Sequence, residues 1–393
     1  MKTAEIDLAL DWLVYSGIRH TVDAQIARGG VNQGYNWRER SFPFIYSEIT
    51  GYAVSAFANA YRWTQEESYL DLARQSANFL KSLQSLAREE ATRGAVCHGL
   101  SLPDLTPRRQ FYSFDLAMCL QGLLDLHAVE PAPELRESAR AMGDWLLERA
   151  QQEDGSFLSM YDAETDEWQR PGDNFYDDKG CLHAKHAIGL LKLSRAIGDE
   201  RYTQAAVRVC DWVLKLQDDD GAFRATERTQ QVVSHPHCYA TEGLLFAHYV
   251  LGTQCYLDAA RRAGRWLLRA QNRDGAMSIA YKRRWWRMGR RVVETVRPRR
   301  VTDATAQSIR IWLALYYLDG DPRFLAACQK ARGFLARMQC TASSDRNAVG
   351  GYYFSPGHSM MFAWCAMFAV HALYALDHVS RDEGYRHIMM ELF

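Results

Sequence analysis

The sequence predicts an all-α fold, an (α/α)6 toroid of six inner and six outer helices spanning 1–393 as a single domain. Three observations predict it. Two kinds of helix alternate along the chain. A phrase that joins an amphipathic helix to an Asp-Gly turn recurs. No convincing strand ladder interrupts the helices, although short extended pieces after the Asp-Gly turns fit the pattern.

The phrase runs Asp144-Trp-Leu-Leu to Asp154-Gly-Ser-Phe157. It returns as Asp211-Trp-Val-Leu to Asp220-Gly-Ala-Phe223, and as Arg265-Trp-Leu-Leu to Asp274-Gly-Ala-Met277. Weaker copies stand at Asn78-Phe-Leu-Lys81 and at Gly333-Phe-Leu-Ala336, the latter followed by Gly350-Gly-Tyr-Tyr353. In each copy the aromatic and Leu residues share one helix face, and the turn ends the helix. Fixed self-similarity of this kind marks a repeated supersecondary unit.

The more polar helices, five of which carry the phrase, are amphipathic: 4–19, 66–85, 134–150, 200–217, 254–271 and 322–339. Between them lie six that are apolar and almost uncharged in the middle: 46–62, 111–128, 181–197, 238–252, 304–318 and 359–375. A helix apolar all round must be buried, and one with a single apolar stripe covers it from outside. Six of each, alternating, close into two concentric rings. An open superhelix of hairpins is the alternative, but such arrays keep a more regular spacing.

Composition bounds the function. The chain has 48% hydrophobic and 24% charged residues, ordinary globular values. With 47 basic against 47 acidic residues there is no global field, so no nucleic-acid partner is expected. Nine cysteines are dispersed without a C-x-x-C pair, which argues against a zinc knuckle or a disulfide framework. The first residues lack an apolar signal core and no run reaches membrane-span length. A cytoplasmic location is expected.

Connections from outer to inner helices are long and rich in aromatic, His and acidic residues: 86–110, 151–180, 218–237, 272–303 and 340–358. The reverse connections are a few polar residues. Long loops carry function, so the active end is expected where inner helices begin. The six helix starts offer Tyr46 and Glu48; Tyr112 and Asp115; Asp177, Asp178 and His183, with Lys185 or His186; His235, His237, Tyr239 and Glu242; Asp303 and Gln307; and Tyr353, His358 and Trp364. Glu48, Asp115, Tyr46, Tyr112 and His237 are the catalytic candidates; Asp178, His183, Tyr239, Glu242, Asp303, Gln307, Tyr353, His358 and Trp364, with Trp285 and Arg287 from the segment below, are assigned to substrate binding.

Each has a bland reading. Asp178 and Asp303 sit where helix caps sit. Tyr112 and Tyr239 fit as core tyrosines with a satisfied hydroxyl. Glu48 and Glu242 lie a turn inside apolar helices, where an unpaired carboxylate is costly, and that cost favours a functional reading. His183, His186, His235 and His237 come without a metal-site carboxylate pattern, so no metal and no cofactor is expected.

One further segment stands apart. From Lys282 to Arg300, 19 residues hold nine basic side chains and one acid, Glu294. Trp285, Trp286 and Arg287 lie within it. The segment reads as a basic loop over an anionic glycan, or as a peripheral contact with a membrane or lipid-linked glycan.

Tyr46-Ser-Glu-Ile-Thr-Gly-Tyr52 is similar to the aromatic-Pro-Glu-x-Thr-Gly-Tyr motif in the C-terminal helical domain of glucuronyl C5-epimerases, with Ser47 in place of Pro. The Trp-Leu-x-x-Gln-x-x-Asp-Gly phrases resemble those of the same epimerases and of the unsaturated glucuronyl hydrolases. Thr302-Asp-Ala-Thr-Ala-Gln307 is like a segment of relatives from bacterial surface-polysaccharide clusters. The resemblance implies a carbohydrate-active toroid. The N-terminal β-domain of the epimerases is missing, and the full His/Arg/Glu set of N-acylglucosamine 2-epimerases has no copy here.

The expected function is action on an acidic, uronate-containing glycan. Hydrolysis through Glu48 and Asp115 as general acid and base leads. A lyase or C5-epimerase using Tyr46, Tyr112 or His237 is the alternative. A sugar isomerase, or a non-catalytic glycan-binding scaffold, remains beside them.

Overall fold

The computed structural model describes residues 3–21, 26–170, 172, 176, 178–287, 290–378 and 384–393, with the side chains of 283–298 outside the description. Asp177 lies outside the described residues, as do the side chains of Trp285 and Arg287.

The outer helices are α1 (Ala4–Tyr15), α3 (Glu67–Leu86), α5 (Pro133–Trp145), α7 (Glu200–Leu214), α9 (Gln254–Ala270) and α11 (Pro322–Met338). The inner helices are α2 (Ser47–Thr64), α4 (Ser113–His127), α6 (His186–Ile197), α8 (Ser234–Leu251), α10 (Thr302–Asp319) and α12 (Ala363–His378). Helix α5 continues into a π-helical turn, Leu146–Ala150, and α6 is entered through a 3-10 turn, Cys181–Lys185. Each inner helix packs on the next, and α12 returns to α2, so the inner ring closes. This is the (α/α)6 toroid expected from the alternation.

The repeated phrase acts as a clip between successive outer helices. Five glutamines end the outer helices: Gln84, Gln151, Gln217, Gln271 and Gln339. Each donates from its side-chain amide twice. One bond goes to the carbonyl of a turn glycine: Gly94, Gly155, Gly221, Gly275 or Gly350. The other goes to a main-chain carbonyl of the next outer helix: Ser138, Ala205, Ala259, Ala327 or, for Gln339, Glu5 of α1. Gln339 thereby closes the outer ring. At the remaining junction Ser76 Oγ donates to the Gly29 carbonyl.

The glycines are required at these turns. All six have φ between +87 and +98, and a Cβ there would meet a main-chain oxygen of the next outer helix at 2.0–2.7 Å. Both the backbone conformation and the space exclude a side chain.

The inner helices begin from a crown of small antiparallel sheets, more strand than the sequence indicates. β2 (Phe44–Tyr46) pairs with β3 (Gly99–Ser101), which pairs with β4 (Pro107–Arg108). β5 (Gln110–Tyr112) pairs with β6 (Met160–Asp162), and β6 with β7 (Glu167–Trp168). β1 (Gly34–Asn36) pairs with β11 (Met360–Phe362). The basic segment expected as a loop is an antiparallel ribbon of β9 (Met277–Arg287) and β10 (Arg290–Val301), joined near its base by β8 (Gln231–Val233). Trp285 and Trp286 of β9 and Val292, Val293 and Thr295 of β10 are the aromatic and β-branched types that fit a pleated ladder.

A final helix, α13 (Gly384–Glu391), has no counterpart in the sequence expectation. It delivers Leu392 and Phe393, both buried, into the back of the bore. The Leu392 carbonyl accepts from Gln121 and Lys192, and the Phe393 main-chain oxygen from Lys185 and Arg310.

The clip can be tested by comparing two glycines of similar φ. Gly275→Ala is expected to lower the free energy of unfolding by on the order of 3 kcal/mol or more, because strain and overlap with the Lys330 carbonyl add. Gly198→Ala, at a helix end with open space around it, is expected to cost about 1 kcal/mol. Urea melts of the two variants measure the difference. Equal losses would remove the clip from this account.

Candidate active site

Strand β2 hands Tyr46 to the start of α2, and Glu48 follows in its first turn. Beside it, β5 ends on Tyr112 and α4 carries Asp115 in its first turn. Both carboxyls are buried, Glu48 at 6% exposure and Asp115 at 1%. The loop before β3 adds His98, whose Nδ1 lies 2.8 Å from Asp115 Oδ2. Tyr46 donates to Asp115 Oδ1 at 3.2 Å. Tyr176, from the long loop before α6, sits between the carboxyls. Its hydroxyl is 2.9 Å from Glu48 Oε2, bonds Asp115 Oδ1 and lies 3.0 Å from the Tyr46 hydroxyl.

Burial raises Glu48 first, the negative charge of Asp115 raises it further, and together they push it to about 8. The hydrogen count agrees. A phenol carries one hydrogen, so Tyr176 cannot donate to two ionised carboxylates at once. A protonated Glu48 resolves this by supplying its own hydrogen to the chain that ends on Asp115. Glu48 is thus held in its protonated form beside a second buried carboxyl.

Aromatic rings wall this pair. His98 packs between Tyr46, at 4.5 Å between ring centres, and Tyr112, at 4.9 Å. Tyr112 in turn packs on Tyr176 at 5.2 Å. One turn below Glu48, the Tyr52 hydroxyl donates to that of Tyr239 at 2.8 Å. From Tyr239 the wall passes to His235, at 4.2 Å between rings, whose Nδ1 lies 2.6 Å from Gln307 Oε1. Asp303 accepts from Trp364 Nε1 at 3.2 Å, and Trp364 stacks on Phe362 at 4.2 Å. Residues from α2, α4, α8, α10 and α12 therefore meet in one bore.

Other candidates do not reach it. His237 faces outward between α8 and α9. Its Nδ1 accepts from the Phe223 N–H at 3.1 Å, its ring packs on Trp266 at 4.8 Å, and burial depresses it to about 4. His183 is buried against Phe157 and His186, and burial lowers it to about 3. Asp178 is bound by Arg228 at 2.9 Å across two loops. Tyr353 and His358 shape the rim, where Tyr353 packs edge-on to Trp37 and His358 Nδ1 accepts from the Met360 N–H at 3.0 Å. The cap reading of Asp303 also gives way. It is the second residue of α10 and accepts from the Ala304 N–H.

Glu242 lies deeper, at the floor. Lys185 Nζ meets its Oε2 at 2.7 Å and Arg310 Nη2 its Oε1 at 2.5 Å, with all three side chains at 1% exposure or less. Its burial is compensated by cations, as buried charges require. Desolvation lowers Lys185 to about 8. Among the described residues no three His, Cys, Asp or Glu side chains are arranged to hold a metal ion.

Sequence reasoning passed over His98, Tyr176 and Arg310. Arg310 had a signal, an arginine in the middle of a helix otherwise apolar. His98 and Tyr176 lie in loops whose register only the small sheets define.

No protein-family model matches the sequence, and no curated protein does. Solved structures match along nearly the whole chain. Cellobiose 2-epimerase from Bacillus thermoamylovorans aligns over 93% of this chain and 97% of its own, with TM-score 0.75 and 14% identity. Unsaturated glucuronyl hydrolase from a Bacillus species aligns over 95% and 97%, with TM-score 0.65 and 15% identity. An α-mannanase from Bacteroides thetaiotaomicron aligns over 98% and 97%, with TM-score 0.67 and 13% identity. At these identities the likeness establishes the fold. Function has to come from the site. No helix among the described residues is long and apolar enough to cross a membrane.

The raised Glu48 has a thermodynamic signature. Unfolded, it titrates near 4.5; folded, it keeps its proton to about pH 8. The folded state therefore binds the extra proton in that window. The contribution of Glu48 to stability is complete below the lower value and is lost as pH rises through the upper one. Urea melts at pH 5, 6.5 and 8 are expected to show Glu48→Gln gaining on the wild type as pH rises. A flat difference would place Glu48 in an ordinary environment.

Proposed function

We propose that the chain is a glycoside hydrolase acting on an acidic, uronate-containing oligo- or polysaccharide. The observation that carries this is the Glu48–Tyr176–Asp115 chain, two buried carboxyls sharing one hydroxyl with Glu48 kept protonated. Glu48 is the general acid for the leaving oxygen. Asp115, steadied by His98 and Tyr46, is the second carboxylate. Groups that share a hydroxyl lie at most two hydrogen bonds apart, about 5–6 Å, which fits a retaining pair better than an inverting one. Asp115 then attacks the anomeric carbon as the glycosidic oxygen takes the Glu48 proton. Water, activated by the Glu48 carboxylate, releases the sugar from Asp115.

The acidic substrate is supported by the nine basic residues of the ribbon and its base, whose charge complements a uronate chain. Trp364 stacked on Phe362 supplies a flat apolar face of the kind that receives a sugar ring. The hydrolases and epimerases among the structural neighbours support a glycan substrate. A cytoplasmic setting belongs to this reading, supported by nine cysteines that are all unbridged.

A second reading is favoured by the contact of His98 with Asp115. A histidine oriented by a carboxylate can exchange a proton at a sugar carbon, as an epimerase or lyase requires. Incubation with uronate oligosaccharides in deuterated water separates the two. Hydrolysis gives new reducing ends with no deuterium on carbon. Deuterium incorporation, or an unsaturated-uronate absorbance, would overturn it.

Glu48→Gln and Asp115→Asn are each expected to lower kcat/KM by roughly 10²–10⁴-fold. Wild-type activity is expected to fall as pH rises past about 8, where Glu48 loses its proton. Full activity in either variant would refute the assignment.

A further inference from the structure

On the outer wall, α9 and α11 enclose a recess of about 460 Å³. We propose that this groove is a second, non-catalytic binding site for a strand of acidic polysaccharide. The inference rests on the glycan reading of the bore, but its observations are separate.

Four cations line the recess, Arg265 and Arg269 from α9 and Arg323 and Lys330 from α11; among the described residues its lining includes no carboxylate. All four are exposed. Asp321 offsets one of them by holding the Arg323 guanidinium at 2.6 Å. Arg269 is steadied by a bond to the Asp220 carbonyl at 2.5 Å. The result is a concave surface with an uncompensated excess of positive charge, which concentrates anions. Its volume lies in the range of sites for small organic ligands, more than a single inorganic ion needs.

The wall between the cations is aliphatic, Leu268 and Ala327, with no aromatic ring in the lining. Single-stranded nucleic acid is bound chiefly by stacking on aromatic faces, so this wall suits it poorly. A recess between helices also cannot follow a flat bilayer surface. Carboxylates or sulfates spaced along a sugar chain match both the charge and the shape.

The groove is continuous with the base of the basic ribbon. Gln271 lies in its wall, and the turn at Gly275 leads directly into β9. At that turn Arg300 of β10 binds Asp274 at 2.5 Å. A strand in the groove is thereby directed toward the end of the toroid where α10 begins, the end that holds Glu48 and Asp115. The site would retain a polymer near the bore without taking part in the reaction.

The test compares wild type with Arg265→Ser/Lys330→Ser and with the charge-conserving Arg265→Lys/Lys330→Arg, after melting curves confirm that both fold. Affinity electrophoresis in polygalacturonate is the readout, with neutral dextran, anionic phosphatidylserine vesicles and single-stranded DNA as further arms. The serine variant is expected to lose affinity for polygalacturonate by about five- to tenfold, and the charge-conserving variant to keep it. Unchanged affinity in the serine variant would overturn the proposal, as would an equal loss on vesicles or DNA. Turnover of a short uronate oligosaccharide is expected to be the same in all three proteins. If polymer binding follows the charges while Glu48→Gln leaves turnover intact, the bore assignment fails and the groove stands. The converse pair of results sinks the groove alone.

Discussion

The rest of this structure depends on the glutamine clip. Helices arranged in a ring need something that fixes each to the next at a set distance, and non-directional apolar packing does this poorly. A partly or fully buried side-chain amide bonded to two main-chain carbonyls on different elements does it well, because breaking it leaves shielded acceptors unpaired. The turn glycine completes the device by letting two backbones approach to a separation that no Cβ tolerates. Five glutamines and one serine span the six junctions, and Gln339 joins the last outer helix to the first. The inner helices, and the mouth residues they carry, inherit their spacing from this ring.

Two acidic groups in the bore show opposite uses of burial. Glu242 is matched by Lys185 and Arg310 at the floor, with Arg310 also lying 4.5 Å from the Phe368 ring. Glu48 has no such ion pair in its hydrogen-bonding shell. Its neighbours there are hydroxyls, and of the nearby charges the Asp115 carboxylate outweighs the Lys185 ammonium. The same low-dielectric setting therefore holds a carboxyl between two cations in one place and raises a carboxyl among hydroxyls in another.

How much of this was legible in the sequence follows from which contacts are local. The rings were legible because amphipathic and all-apolar helices differ in period and composition, and the inner ends were legible because their loops are long. Glu48 and Asp115 could be found as acids one turn inside apolar helices. Their pairing could not, since it depends on Tyr176, 61 residues from Asp115 in the chain and brought in by a loop. His183 and His237 misled for the converse reason. Each is close in sequence to bore-facing residues, but a helix turns 100° per residue, so neighbours face opposite layers. His237 points to Trp266 while Tyr239 points inward. The basic segment was read by charge, which does not distinguish a loop from a ribbon; its valines and paired tryptophans, types favoured in strands, were the missed sign.

The tail deserves a last consequence. Leu392 and Phe393 fill the back of the bore and are bound there through their main-chain oxygens by Gln121, Lys192, Lys185 and Arg310. A ring of helices is topologically a pipe, and this one is corked. The floor of the bore is therefore built partly from main chain, and its two cations, Lys185 and Arg310, are shared between the Glu242 carboxylate and the Phe393 oxygen.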